Sequence, residues 1–511
     1  MSLKEKILTI VFVVIVLLSG WLRFEQTKNG NFPFTYDQAR DMLDIRTLGE
    51  FKDIMVMGPT TSINGLRLGP FYYYLMLPAY WIGDGNPQAL VNWNIFLFLI
   101  SGISIYLFFR KRDITTGFLI STIFLLAPRL FDTTRYFWNA NSAVYLSVFF
   151  FLSLYFFIEN KDKKSVFWLG LTAAILTQFE AAFGIICLCF SVLIVVLNNK
   201  IKYWKAFLTG VFPWFLPQLL LEIKNKFQMT KLFLGIFNNS NQVLENKLSF
   251  LTSVSSHFKS IVNVFEGQFS LPYYGGLILI ILAFIASIFF KKYKKVNKYF
   301  FSLLFFSFIF YIIFYHYPLK EWYIDILRVW MTFVIGFFLS NLLKINKVIW
   351  LIVFLFLLRS FILTVSDQQK YRKYVLSDDP KNLNNLEKNI EWIYKKMDGK
   401  GFRAYNYVPE IYDYSQQYLF WWKAKNTYNY LPDRISYSLD LVPEYVANKD
   451  NFNEINERDD ENMIALTYEI RFRYYEWLGQ FKNYCVKDEW QTEWKTKLEI
   501  REKCPSGKVA P

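Results

Sequence analysis

Eleven apolar runs, each about long enough to cross a bilayer, recur along the first 365 residues of this 511-residue chain. They lie near 7–22, 88–109, 114–128, 140–158, 166–180, 182–197, 205–222, 271–290, 299–315, 323–343 and 348–365. Hydrocarbon offers no partner to a backbone amide, so each run must bond its own backbone as a helix. The fold class that follows is a polytopic α-helical membrane protein. A content of 54% hydrophobic residues, with 54 Phe, 34 Tyr and 16 Trp, excludes a soluble multidomain enzyme.

Lys and Arg outnumber Asp and Glu by 57 to 42, yet residues 366–511 hold 23 against 24. The whole basic excess therefore sits in the membrane portion, in short clusters between apolar runs. Positive loops of a membrane protein have that distribution and a groove-tracking nucleic-acid surface does not, so no nucleic-acid partner is expected.

The first run follows Lys4 and Lys6 and has no convincing cleavage pattern after Ser19-Gly20, so it reads as a retained signal anchor with a cytoplasmic N-terminus. Eleven crossings then put the basic loops 110–113, 159–164, 198–205, 291–298 and Lys344 to Lys347 on the cytoplasmic side. Leu68 to Gly83, with Pro70, Pro78 and four Tyr, is read as an interfacial or re-entrant helix that does not cross. The same alternation places 23–87, 129–139, 223–270, 316–322 and 366–511 outside. The expected location is the cytoplasmic (plasma) membrane, multi-pass, with the C-terminal segment extracytoplasmic.

Composition turns soluble near Ser366, which divides the chain into a membrane domain, 1–365, and an outer domain, 366–511. Glu387 to Met397 has helical spacing and Phe402 to Val408 alternates like a strand, so the outer domain is expected to be α/β. Cys485 and Cys504 are near enough in sequence to close a loop, and spacing leaves open whether they are bridged. The four cysteines lack metal-ligand spacing, and His257 and His316 stand far apart, against a zinc site with His ligands.

Charged residues at the outer membrane edge are the candidates for chemistry, because a carboxylate survives there without the desolvation cost of the hydrocarbon centre. Tyr36-Asp37-Gln38-Ala39-Arg40-Asp41 is helix-compatible and puts Asp37, Arg40 and Asp41 on one face. A second element runs from Gly58-Pro59-Thr60-Thr61-Ser62 to Gly69-Pro70-Phe71-Tyr72-Tyr73-Tyr74, with permissive glycines and a tyrosine belt. The loop from Pro128 to Asn141 brings Arg129, Arg135, Asp132, Asn139 and Asn141 to the apolar spans. Arginine suits phosphate because its planar fork bonds two oxygens. Glu180 falls at an outer junction between two spans, and His316 to Tyr323 forms a short loop with Lys320 and Tyr323, followed by Arg328.

These motifs, in this order, resemble the GT-C glycosyltransferases, specifically the bacterial relatives of the protein O-mannosyltransferases and lipid A aminoarabinose transferases (glycosyltransferase family 39-like). The resemblance rests on Asp37 with Gln38, Gly69 to Tyr74, Arg135-Tyr136-Phe137-Trp138-Asn139 and Pro318 to Tyr323, and covers most of 1–365. It implies an inverting enzyme that moves a sugar from a polyprenyl-phosphate donor to a hydroxyl on a lipid, glycan or protein, outside the membrane. Members carry an Asp-Glu pair where this chain has Asp37-Gln38, so Asp37 carries over as the residue that activates the acceptor.

The chemistry needs one base and a cationic site for the departing lipid phosphate, which requires charge stabilisation more than protonation. Asp37 is the expected base, and Arg135, Lys320 and Arg328 the phosphate ligands. Arg40, Asp41, Tyr72, Asn139, Glu180 and Tyr323 are the expected substrate contacts. Some relatives bind a divalent metal, for which Asp37, Asp41 or Glu180 would supply oxygens, though spacing assigns none. The competing readings are a lipid-linked glycan flippase or transporter, which predicts midplane charges and an internal repeat, and a polysaccharide ligase or polymerase of related fold.

Overall fold

The computed structural model describes residues 2–50, 54–61, 65–237, 248–271, 274–346, 348–371, 373, 378–408, 412–440, 456–458, 460–470 and 473–505. Ser62 and Lys347, named in the motifs above, lie outside these.

Each apolar run lies on a helix. In chain order the helices up to residue 371 are α1 (Leu3–Thr27), α2 (Tyr36–Glu50), α3 (Phe71–Ile82), α4 (Pro87–Leu126), α5 (Pro128–Arg135), α6 (Asn139–Asn160), α7 (Lys163–Phe179), α8 (Ala181–Leu197), α9 (Trp204–Lys224), α10 (Gln228–Phe237), α11 (Phe250–Gln268), α12 (Gly275–Phe289), α13 (Lys294–Phe314), α14 (Glu321–Ile324), α15 (Ile326–Leu342) and α16 (Ile349–Tyr371). Among the described residues six helical stretches are long and apolar enough to cross a membrane, those containing α1, α4, α6, α9, α13 and α16, and α8, α12 and α15 are shorter apolar helices. The runs at 88–109 and 114–128 are joined in α4, whose helical geometry breaks at Asp113 (φ −158°, ψ 94°). Helix α3 has 12 residues, about 18 Å of rise, too short to cross.

Residues 223–270 are not a plain loop, since they contain α10 and α11. Along α11 the buried residues Ser253, His257, Ile261, Val264, Phe265 and Gln268 share one face. A one-sided stripe interrupted by polar residues escapes a search for continuous apolar runs.

Packing divides the chain into two units. The first comprises Met1–Phe24, Ile54–Leu75 and Asn92–Asp367, and the second Glu25–Asp53, Met76–Val91 and Gln368–Pro511. The boundary read from composition, at 365/366, thus omits two segments that join the C-terminal residues. The reason is specific pairing, to which composition is blind.

In the first unit the rings of Phe151, Phe300, Phe333 and Phe337 interlock, and Trp330 donates its indole N–H to the Phe300 carbonyl at 2.8 Å. Arg23, almost fully buried, stacks over Phe98 at 4.2 Å and Phe131 at 3.6 Å and donates to the Leu125 carbonyl at 3.1 Å. It thereby ties α1 to the end of α4 and to α5, the helix that carries Arg129 and Arg135.

The second unit adds α17 (Leu383–Met397), β1 (Arg403–Tyr407), α18 (Tyr414–Lys423), β2 (Tyr430–Pro432), β3 (Ile435–Ser436), β4 (Asn456–Arg458), β5 (Met463–Glu469), α19 (Tyr474–Leu478), β6 (Tyr484–Gln491) and β7 (Thr496–Lys503). Its main sheet has the order β3-β1-β5-β7-β6; β1 pairs in parallel with β3 and β5, and β7 runs antiparallel to β5 and β6. Tyr405, Ile464, Leu466, Tyr468, Trp477 and Phe481 form a core on it. Cys485 and Cys504 are bridged, with Cα atoms 5.1 Å apart.

The segment before α2 is stitched to the segment before α17: Phe34 N donates to Lys381 O at 2.8 Å and Leu383 N to Phe32 O at 3.0 Å. Helix α2 packs on α18, where Arg46, almost wholly buried, stacks over Trp421 at 4.3 Å and bonds Glu50 at 3.1 Å. Trp421 is fully buried and forms part of the core. Glu50 also accepts from the Tyr80 hydroxyl at 2.7 Å.

Candidate active site

Helix α2 begins with a reciprocal-cap sequence, Thr35-Tyr36-Asp37-Gln38. Ala39 N donates to Thr35 O, which makes Thr35 the cap residue, and Gln38 Oε1 accepts from Thr35 N at 3.1 Å. Glu and Gln serve equally at that position. The cap sets the first turn, from which Asp37 projects with about a third of its side chain exposed.

Arg40 spans the two carboxylates predicted to share its face. Its Nη1 donates to Asp37 Oδ1 at 2.9 Å, while Nε and Nη2 donate to Asp41 Oδ1 at 3.0 and 2.7 Å. Asp41 is fully buried, and its Oδ2 has no hydrogen-bond partner among the described residues. Burial pushes its carboxyl up to about 7, against the downward pull of Arg40. The guanidinium fills the space that a cation would need in order to bridge Asp37 and Asp41. Glu180 is committed elsewhere, as described below, and among the described residues no three His, Cys, Asp or Glu side chains group to hold a metal. The donor set does not fit a divalent ion.

The first unit holds the predicted phosphate ligands. A pocket of about 270 Å³ is lined by Arg129, Asp132, Tyr136, Trp138, Asn141, Glu321, Trp322, Asp325 and Arg328, with Thr133. Arg328 is almost wholly buried; it bonds Asp325 at 2.7 Å, reaches Glu321 at 3.6 Å and donates to Val264 O at 3.2 Å. Arg129 donates to Asp132 and to Glu321, both at 3.2 Å, and Arg135 pairs with Asp132. The Lys320 ammonium lies 5.4 Å over the Trp322 ring. Of the three expected phosphate ligands only Arg328 lines the pocket; Arg135 is linked to it through Asp132 and Lys320 through the Trp322 ring, and Arg129, Arg135 and Arg328 face three carboxylates. A phosphate entering there exchanges with Asp132, Glu321 or Asp325 for guanidinium bonds, on side chains already held in place. Tyr323 stands by Lys320 and receives the Tyr311 hydroxyl on its carbonyl at 3.2 Å.

Tyr72, Asn139 and Glu180 meet around Phe179. Tyr72 is fully buried with its ring edge-on to Phe179 at 6.3 Å, and Asn139 Nδ2 donates to Phe179 O at 2.7 Å. Glu180 Oε1 accepts from Ala182 N at 3.0 Å, which makes it the N-cap of α8. The loop beside them depends on two glycines. A Cβ on Gly69 would fall 1.3 Å from Gln178 Oε1, and one on Gly58 2.0 Å from Gly69 O. Arg359 donates to Phe269 O at 3.1 Å and Ser270 O at 2.9 Å, so it closes the end of α11.

Arg129, Glu321 and Asp325 were not singled out from sequence as site residues. A signal existed for one of them, since Asp325 precedes Arg328 by the three residues of a helical ion pair. Nothing local connects Arg129 to Glu321.

Long apolar helices, the shorter helices α2 and α3 between the first two of them and a C-terminal sheet make up a fold of helical membrane type that recurs among solved structures. No protein-family model and no curated protein matches the chain. Among solved structures it shares its fold with ArnT from Cupriavidus metallidurans in the apo state, at TM-score 0.59 and 10% identity over 96% of this chain and 97% of that one. The same values hold for ArnT from that organism bound to undecaprenyl phosphate. An Archaeoglobus fulgidus oligosaccharyltransferase in complex with Zn and sulfate matches at TM-score 0.41 and 10% identity, over 92% and 71%, and carries no weight here.

Proposed function

We propose that this chain is an inverting glycosyltransferase that moves a sugar from a polyprenyl-phosphate donor to an acceptor hydroxyl at the outer face of the cytoplasmic membrane. The observation that carries the reading is its fold, shared over nearly the full length with a protein that has been crystallised with undecaprenyl phosphate. The arginine-lined pocket supports it as a place for the lipid phosphate, and the Lys/Arg-rich loops support the orientation, with the C-terminal unit outside.

In this reading Asp37 accepts the proton of the acceptor hydroxyl as that oxygen bonds to C1 of the sugar. The bond from C1 to the phosphate oxygen breaks, its electron pair leaves with the lipid phosphate, and the anomeric centre inverts. Arg135, Lys320 and Arg328 stabilise the departing charge. Arg40 orients Asp37 and is itself fixed by Asp41.

Purified protein in lipid nanodiscs, given a panel of polyprenyl-phosphate sugars and an acceptor-containing membrane extract, should release lipid phosphate from at least one donor. Asp37→Asn keeps the shape and removes the basicity, so transfer should fall about a hundred- to ten-thousand-fold with donor binding unchanged. Near-normal transfer by that variant rejects the assignment of the base. Failure of the folded parent to release lipid phosphate from any donor rejects the activity.

A further inference from the structure

The first unit contains a second cavity, unrelated to the arginine pocket. It measures about 650 Å³ and is lined by Arg112, Asp113, Glu159, Lys291, Lys292 and Lys295, with walls of Tyr155, Ile158 and Val296. Helix α6 fixes its distance from the arginine pocket: Asn141 lines one and Asn160 the other, about 28 Å apart along the helix axis. That is close to the thickness of a bilayer's hydrocarbon core.

The cavity is built around the break in α4. Asp113, at the break, accepts from the Thr116 and Tyr293 hydroxyls at 2.8 and 2.9 Å and pairs with Lys292, which holds the entry to α13 against α4. Arg112 bonds Glu159 at 3.1 Å and lies over the Phe108 ring at 4.0 Å. Both carboxylates of the cavity are thus taken. Lys291 and Lys295 line it with no acidic partner among the described residues. Lys344, outside the lining, neighbours Lys292, and burial and then that neighbour lower its pKa.

A bias toward positive loops accounts for lysines at this end of the bundle, but not for a cavity in which two of them have no counter-charge beside an apolar wall. Inorganic phosphate gains nothing from Ile158, Val296 and the Tyr155 ring. An amphiphile gains from both, its phosphate on the lysines and its glycerol and first methylenes on that wall.

We infer that this cavity binds the phosphate headgroup of an anionic membrane lipid, at the end of the bundle that carries the basic loops. Each lysine near an anionic headgroup contributes about fivefold in affinity. Native mass spectrometry of the full-length protein in detergent, titrated with phosphatidylglycerol or phosphatidylcholine, should show preferential retention of phosphatidylglycerol. The exposed pair Lys291→Gln/Lys295→Gln should weaken phosphatidylglycerol about thirtyfold and leave phosphatidylcholine unchanged. Lys291→Arg/Lys295→Arg should keep the preference, as should Lys294→Gln, which lies outside the cavity lining. Inorganic phosphate at millimolar concentration should not displace the lipid. Equal retention of the two lipids by the parent overturns the inference even if the double Gln variant does not insert. Unaltered preference in the folded double variant, or displacement by inorganic phosphate, overturns it as well.

Discussion

Replacing Asp41 by Asn should change how stability depends on pH, by an amount the structure sets. The folded protein holds the Asp41 carboxyl at about 7 instead of 3.8 because it is fully buried, with Arg40 pulling the other way. An unfolded chain releases that proton near pH 4, whereas the folded chain keeps it until about pH 7. Between those values the native state binds more protons, so stability falls as pH rises through the window. Roughly three pKa units at about 1.4 kcal/mol each make the loss about 4 kcal/mol by pH 7. Asn mimics the protonated form, so Asp41→Asn should match the parent near pH 4 and exceed it by about 4 kcal/mol at pH 7. Asp413, buried and pushed up to about 6, slopes the same way in both proteins and cancels in the difference. Unfolding followed by tryptophan fluorescence in micelles gives the two profiles. An infrared carbonyl band that titrates near pH 7 in the parent, and is lost in Asp41→Asn, assigns the proton. Parallel stability profiles, or a midpoint below about pH 5, refute the reasoning.

Gly69→Ala should disrupt the loop from Gly58 to Pro70, since its Cβ would collide with the Gln178 amide; proteolytic sensitivity of the loop measures this, and adding Gln178→Ala should restore protection in part. Removing the bridge with Cys485→Ser/Cys504→Ser should cost about 3 kcal/mol, as expected for a closed loop of this length; chemical denaturation reads the loss, and an unchanged midpoint would contradict it. Arg328→Met strips the cation from Asp325, and breaking such a buried pair costs about 3–5 kcal/mol. Its melting temperature should drop, and donor lipid should bind more weakly to whatever fraction stays folded.

Long apolar periodicity made the membrane helices legible, because the bilayer imposes one solution on each run. The ends of α6, α9 and α13 fall within a few residues of the run boundaries for the same reason. Helix α17 and strand β1 were legible from local spacing as well. The strand order β3-β1-β5-β7-β6 was not, since it rests on pairings such as Ala404 with Ala465 that no local pattern encodes. Membership of α2 in the C-terminal unit was hidden in the same way. It depends on Phe34 meeting Lys381 and Arg46 meeting Trp421, each hundreds of residues apart in sequence. In the arginine cluster, charge type and position could be read from the loops. The neutralising carboxylates could not, because Glu321 reaches Arg129 across separate elements.

The first turn of α2 shows why two carboxylates on one helix face do not share one role. Arg40 binds both, yet Asp41 is fully buried and Asp37 keeps about a third of its side chain exposed. A general base must come within hydrogen-bond reach of a proton carried in by substrate, and a side chain with no exposed surface does not. Environments that separate two like groups separate their duties. Asp41 is left to fix the guanidinium, and of the two only Asp37 is placed to serve as the base in the proposed reaction. The neutral residue beside Asp37 fits the same division, because Gln38 spends its oxygen on the Thr35 amide, a bond that a glutamate would make equally well. A neutral Gln38 in place of a second carboxylate therefore leaves one charge fewer at the helix start and keeps the cap from which Asp37 projects.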